Sequence, residues 1–208
     1  MNTGNKQAII WAQLDHAITH WIQSTFPQPG LSAVIGLQMA IVGVSLWALA
    51  HPKFASFFTL SIESVKHRLQ VWRWLSYSFL HANLAHLCLN MVSLYQGAYL
   101  VIMERGCRYT LVIYFLGVAI PAMLWALGSS AGGEIRNIVG ASTGVFALFG
   151  ASAVVCPKAI LLIGYVIPVD MTEGLSFVML ISLCLVFLGQ SRHIWHVGHV
   201  AGAATGFV

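Results

Sequence analysis

From Leu31 to Ala50 the chain runs twenty residues without a charge, and a second uncharged interval fills all the positions between Arg73 and Glu104. At 1.5 Å of helical rise per residue, about twenty residues match the bilayer's hydrocarbon thickness of about 30 Å. Composition extends the argument to the whole chain. Its 208 residues are 58% hydrophobic and 8% charged, with a mean hydropathy of +0.80, whereas soluble domains carry about 25% charged residues. There is too little polar surface to face water all round, so lipid must cover much of the molecule. In lipid each segment has to pair its own backbone groups, which leaves helices as the economical solution. The chain therefore reads as an all-α polytopic membrane protein.

The ten Lys and Arg against six Asp and Glu give a net charge of +4. They are scattered rather than gathered into a basic stripe interleaved with aromatics, which argues against nucleic acid as a partner. Cys88, Cys107, Cys156 and Cys184 lie far apart and suggest neither a disulfide framework nor a zinc site. The first 30 residues lack the charged and apolar regions of a signal peptide. Within them Ile10, Leu14, Ala17, Ile18, Trp21 and Ile22 recur at helical spacing, as in an amphipathic helix lying on the membrane surface. Pro27-Gln28-Pro29-Gly30 ends that segment, and the membrane domain is expected over 31–208.

Six spans are expected. The first is Leu31 to Ala50, the second about Leu80 to Val101, the third about Thr110 to Leu127. The fourth runs from Ser142 to Cys156, the fifth from about Gly174 to Gly189, and the sixth starts near Ile194. Between the first two, His51 to Arg73 mixes cations with Phe54, Phe57, Phe58 and Trp72, a combination suited to the headgroup layer. The apolar run Ala159 to Ile167 is too short to cross. The sixth span meets the end of the sequence at Val208, soon after His199, and is expected to continue in a longer natural chain. Six spans place both termini on one side, but the distribution of Lys and Arg leaves open which side.

Strongly polar groups at membrane depth are costly and are default candidates for function. Four stand out: His86, Asn90, Ser142 and His199. His86 and Asn90 are one helical turn apart and share a face; hydrogen bonding between helices is their plainer role. Ser142 lies in Gly140-Ala141-Ser142-Thr143-Gly144 at the head of the fourth span. A helix N-terminus offers unpaired N–H groups that can stabilise an oxyanion, although Ser and Thr are also ordinary N-caps. Gly202, Ala203 and Gly206 follow His199 as a smooth stripe, and Ala147, Gly150 and Ala151 offer the fourth span a matching surface. Close contact between these parallel helices would bring Ser142 and His199 within hydrogen-bond reach, the condition for a Ser–His pair. No pair of acidic residues sits within the membrane, no His-Glu-x-x-His motif occurs, and no acidic third member is available for a triad. Serine chemistry here would run on a dyad, without metal or cofactor.

These residues resemble the rhomboid intramembrane serine proteases. The resemblance lies in Trp72-Arg73, in Phe79-Leu80-His81, in His86-x-x-x-Asn90, in Gly140-x-Ser142 and in His199-x-x-Gly202-x-x-x-Gly206, and it covers roughly residues 56–206. It implies a six-helix bundle with an interfacial loop between the first two spans. It further implies a serine endopeptidase that cleaves transmembrane segments of other membrane proteins. In that role Ser142 is the nucleophile and His199 the general base, in preference to His193 or His196. His86, Asn90 and the backbone around Gly140 serve the oxyanion, and Phe146 packs on the catalytic imidazole. The resemblance also implies a cytoplasmic N-terminus, a site toward the opposite face, and a bacterial inner-membrane setting. The gate for substrate is expected at the 128–139 loop and the C-terminal end of the fifth span. Two departures concern spacing: the Gly and Glu elements of the 97–106 junction are shifted, and the sixth span is short. The third is chemical, because Thr143 stands where the family usually has Gly. A catalytically inactive client-binding relative and a small proton-coupled transporter are the alternatives. Oligomeric state is not legible.

Overall fold

The uncharged run folds as one helix, α1 (Leu31–Ala50). The computed structural model describes residues 30–128, 137–163, 166–188 and 195–207; the expected amphipathic helix before Gly30 lies outside them. After α1, His51 to Arg73 forms short pieces rather than an open loop. Pro52 occupies the first turn of α2 (Pro52–Phe58), where its missing N–H has no partner to lose. A π-turn over Glu63–His67 follows, and then α3 (Arg73–Ser76), which continues as a 3-10 turn over Tyr77–Phe79.

Arg73 ties these pieces together. Its side chain is only 5% exposed. Nε donates to Gln70 Oε1 at 2.7 Å and Nη1 to the Ser56 carbonyl at 2.8 Å, and Nη1 also reaches the Thr59 carbonyl. Burial and, second, the nearby Arg68 push its pKa below the ordinary value. One residue further on, Leu60 exchanges backbone hydrogen bonds with Ile138, at 3.1 and 2.9 Å. The stretch after α1 is thereby joined to the strand-like segment that leads to Ser142.

The second and third expected spans belong to a single run, α4 (Leu84–Gly128), broken by Gly106 at φ 77° and ψ 168°. Only glycine takes that left-handed geometry without strain, and it separates two arms, 84–105 and 107–128. The helix starts at Leu84 rather than near Leu80. Leu80 is extended, at φ −106° and ψ 148°, and the Asn83 side chain accepts the His86 N–H at 2.8 Å, which makes Asn83 the N-cap.

Next come α5 (Ser142–Val155), a β-hairpin, α6 (Met171–Phe187) and α7 (His196–Gly206). The hairpin corrects the all-α expectation. β1 (Ile160–Ile163) and β2 (Ile167–Asp170) pair antiparallel, with Leu161 opposite Val169. The short run is rich in β-branched residues and carries Pro168, which a two-stranded edge tolerates and a helix interior does not.

α5 is the hub. From Thr143 to Ser152 every residue except Phe146 is buried, as expected of a helix that is apolar all round. It packs on Gly97 of the first arm of α4, on Tyr114 and Val118 of the second, and on Ala203 of α7, within one hydrophobic core. Outward faces are apolar too, with Met39, Trp47, Leu124, Leu127, Phe177 and Phe187 exposed. Among the described residues α1 and α4 are long and apolar enough to cross a membrane, and α5 and α6 are shorter apolar helices.

Contact between α5 and α7 follows the small-residue stripe. A Cβ on Gly150 would strike the Ala203 carbonyl, one on Gly202 the Thr143 carbonyl, and one on Gly206 the backbone of Ala147 and Ala151. Backbones this close leave no room for side chains between them. Thr143 lies against Gly202 and Ala147 against Gly206, so the two helices run in the same direction.

Candidate active site

The approach to α5 is a tight, glycine-dependent turn. Gly140 has φ 125°, and a Cβ there would stand 2.9 Å from His86 Cε1, 3.1 Å from His86 Nε2 and 3.8 Å from Ser142 Oγ. The absent side chain is what lets the His86 ring lie against the backbone beside Ser142. The Gly140 N–H donates to the Tyr77 carbonyl at 3.0 Å. The Ala141 N–H points to His81 Nε2 at 3.4 Å, a long contact that leaves Nε2 as the acceptor. His81 Nδ1–H then faces Ser45 Oγ at 2.9 Å, and Ser45 donates to the Phe79 carbonyl at 2.7 Å. His81 is thus a neutral imidazole linking α1 to the residue before Ser142.

Ser142 Oγ lies 2.8 Å from His199 Nε2. The His199 ring stacks on Phe146, with centroids 4.6 Å apart and planes at 24°. Phe146 is one turn after Ser142 on α5, so a single helix carries both the hydroxyl and the aromatic shelf for its partner. With Nδ1 protonated, His199 Nε2 presents a lone pair to the hydroxyl.

A cavity of about 590 Å³ opens beside this pair, and all six sequence-expected residues line it: His86, Asn90, Gly140, Ser142, Phe146 and His199. Asn90 is 6% exposed and donates one amide hydrogen to the His86 carbonyl at 2.9 Å. The other amide hydrogen remains available. His196 does not line this cavity; its ring is 6.1 Å from that of His199. His193 and most of the expected gate loop, 129–136, lie outside the described residues. Among the described residues no group of His, Cys, Asp or Glu is arranged to hold a metal ion.

Three residues of the site have no assigned role in the sequence reading: Tyr77, His81 and Thr143. On an ideal helix His81 points away from His86. Residues 80–83 precede the helix, however, and the two rings meet with centroids 5.0 Å apart. The signal for His81 was its place in Phe79-Leu80-His81, and for Thr143 its departure from glycine. Tyr77 carried none.

A family model described as the Rhomboid domain matches residues 68–208. The chain belongs to the rhomboid family. Rhomboid-like protease 2 of Toxoplasma gondii is 28% identical over 159 residues, 75% of this chain and 52% of that protein. Rhomboid-related protein 3 of Homo sapiens is 35% identical over 114 residues, 53% of this chain and 26% of that protein. Rhomboid-related protein 2 of Mus musculus is 36% identical over 84 residues, 40% of this chain and 26% of that protein. The matched part of this rhomboid thus spans about half the length of its relatives, or less. The rhomboid domain and the apolar helices make it a membrane protein. These relatives are eukaryotic and lend no support to the expectation of a bacterial inner membrane.

Proposed function

We propose that this rhomboid is an intramembrane serine endopeptidase acting on transmembrane segments of other proteins, with α1, the two arms of α4, α5, α6 and α7 as its six spans. The observation that carries the reading is the 2.8 Å approach of Ser142 Oγ to His199 Nε2 at the wall of a cavity shared with His86 and Asn90. Ser142 attacks the scissile carbonyl while His199 takes its proton, and His199 returns that proton to the leaving amine. Water then hydrolyses the acyl-enzyme by the same proton route. In this reading the Ser142 N–H at the start of α5, the Asn90 amide and the His86 ring stabilise the developing oxyanion, which their shared cavity supports. A helical substrate has its peptide bonds shielded, so cleavage requires local unwinding, and helix-breaking or small residues near the bond are the expected preference.

The test is labelling of the full chain in detergent by a neutral fluorophosphonate. Ser142 of the parent should be labelled, and His199→Ala should abolish the labelling. Equal labelling of parent and variant overturns the dyad, and an unlabelled parent overturns it and favours an inactive client-binding relative.

A further inference from the structure

Thr143 follows Ser142 directly and is 1% exposed. Its Oγ1 lies 2.8 Å from the Tyr77 hydroxyl, which donates its hydrogen to the Val118 carbonyl at 2.9 Å. A phenol has one hydrogen. Since Val118 takes it, Thr143 must be the donor to Tyr77, and the chain reads Thr143 Oγ1–H to Tyr77 Oη–H to Val118 O=C. Val118 sits in the α4 turn loosened by Pro121, which has no N–H for the Gly117 carbonyl. Tyr77 itself is fully buried, and its main-chain carbonyl holds the Gly140 N–H at 3.0 Å. A single residue therefore grips the chain on both sides of Ser142, at Gly140 through its backbone and at Thr143 through its side chain.

We infer that Tyr77, acting through Thr143, is a positioning residue that sets the orientation of Ser142 and its backbone N–H. The inference rests on the serine-protease reading above. Thr143 is then more than a tolerated substitute for glycine. Glycine leaves the peptide after the serine free to rotate, and the hydroxyl replaces that freedom with a bond to a buried phenol. The two bonds form a polarised chain in a low-dielectric core, so loss of either end weakens the other.

The test compares Tyr77→Phe, Thr143→Val, Thr143→Ser and the Tyr77→Phe/Thr143→Val double variant, using the neutral fluorophosphonate on full-length protein. Two quantities are read separately: the rate constant for labelling Ser142 and the fraction finally labelled. A positioning role predicts a rate constant lower by about tenfold in Tyr77→Phe and in Thr143→Val, the equivalent of one hydrogen bond, with the labelled fraction unchanged. The double variant should be no slower than the worse single, and Thr143→Ser should keep the parental rate. A merely structural role would lower the labelled fraction and leave the rate constant alone, and that result overturns the inference. Parental rates in both single variants, or effects that multiply in the double, also overturn it. If Tyr77→Phe does not fold, the contrast between Thr143→Val and Thr143→Ser decides the same question. A parent that is not labelled at Ser142 removes the underlying reading and this inference with it, whereas a labelled parent with unaffected variants removes the inference alone.

Discussion

Asn90 shows how one side chain divides its work. Half of its donor capacity goes to the His86 carbonyl, and the other half is left for the cavity it lines. Asn90→Ala should lower turnover by about a hundred- to a thousandfold, the range for loss of one oxyanion donor, with little change in thermal unfolding. An unchanged rate on a transmembrane model substrate would remove Asn90 from the chemistry. Gly140 acts by lacking a side chain. Gly140→Ala forces an L-residue into a positive-φ conformation and drives its methyl into the His86 ring, so it should cost about 1–3 kcal/mol. Both the melting temperature and Ser142 labelling should fall together. Ser142, His199, His86 and Asn90 were legible in the sequence because polar groups are conspicuous inside apolar runs. Tyr77 was not, since a tyrosine in an aromatic-rich stretch looks like any core residue until its hydroxyl is seen bonded to Val118 and Thr143.

At the scale of elements, the juxtaposition of α5 and α7 decides whether hydroxyl and imidazole meet. Both helices turn glycine or alanine toward each other, so the spacing is set by backbone contact rather than by adaptable side chains. Gly202→Val should push α7 away from Thr143 and abolish Ser142 labelling, even in protein that still elutes as a folded species. Labelling at the parental rate would show that the helices can part without losing the site. This contact was legible because a repeated small residue at helical spacing has few other uses in lipid. The onset of α4 and the β-hairpin were harder to see. Apolarity alone continues past Asn83 to Leu80, and only the side-chain cap decides where the helix begins. Ile160 to Asp170 is apolar enough for a buried helix, and its β-branched residues and Pro168 outweigh that signal.

For the molecule as a whole, the short pieces between α1 and α4 act as a brace. Arg73 gathers the carbonyls of Ser56 and Thr59, and the Leu60–Ile138 bridge passes that constraint to the segment before Ser142. Arg73→Ala leaves two carbonyls unpaired, at about 1–3 kcal/mol each, and should lower the thermal midpoint clearly. A midpoint equal to the parent's would show that water satisfies those carbonyls. The neutral hydrogen bonds around Ser142 have a consequence for ionic strength. Tyr77, His81, Ser45 and Thr143 all hold the turn without a formal charge. The Arg68–Glu63 ion pair is on the exposed loop, at 3.8 Å. Dissolved salt screens charges over about 8 Å at 0.15 M, but these four groups carry none, and the Arg73 guanidinium that braces the segment is buried against neutral carbonyls. Labelling by the neutral probe should therefore be flat across a sodium chloride series, because the aim of Ser142 is set by neutral hydrogen bonds and close-packed backbone.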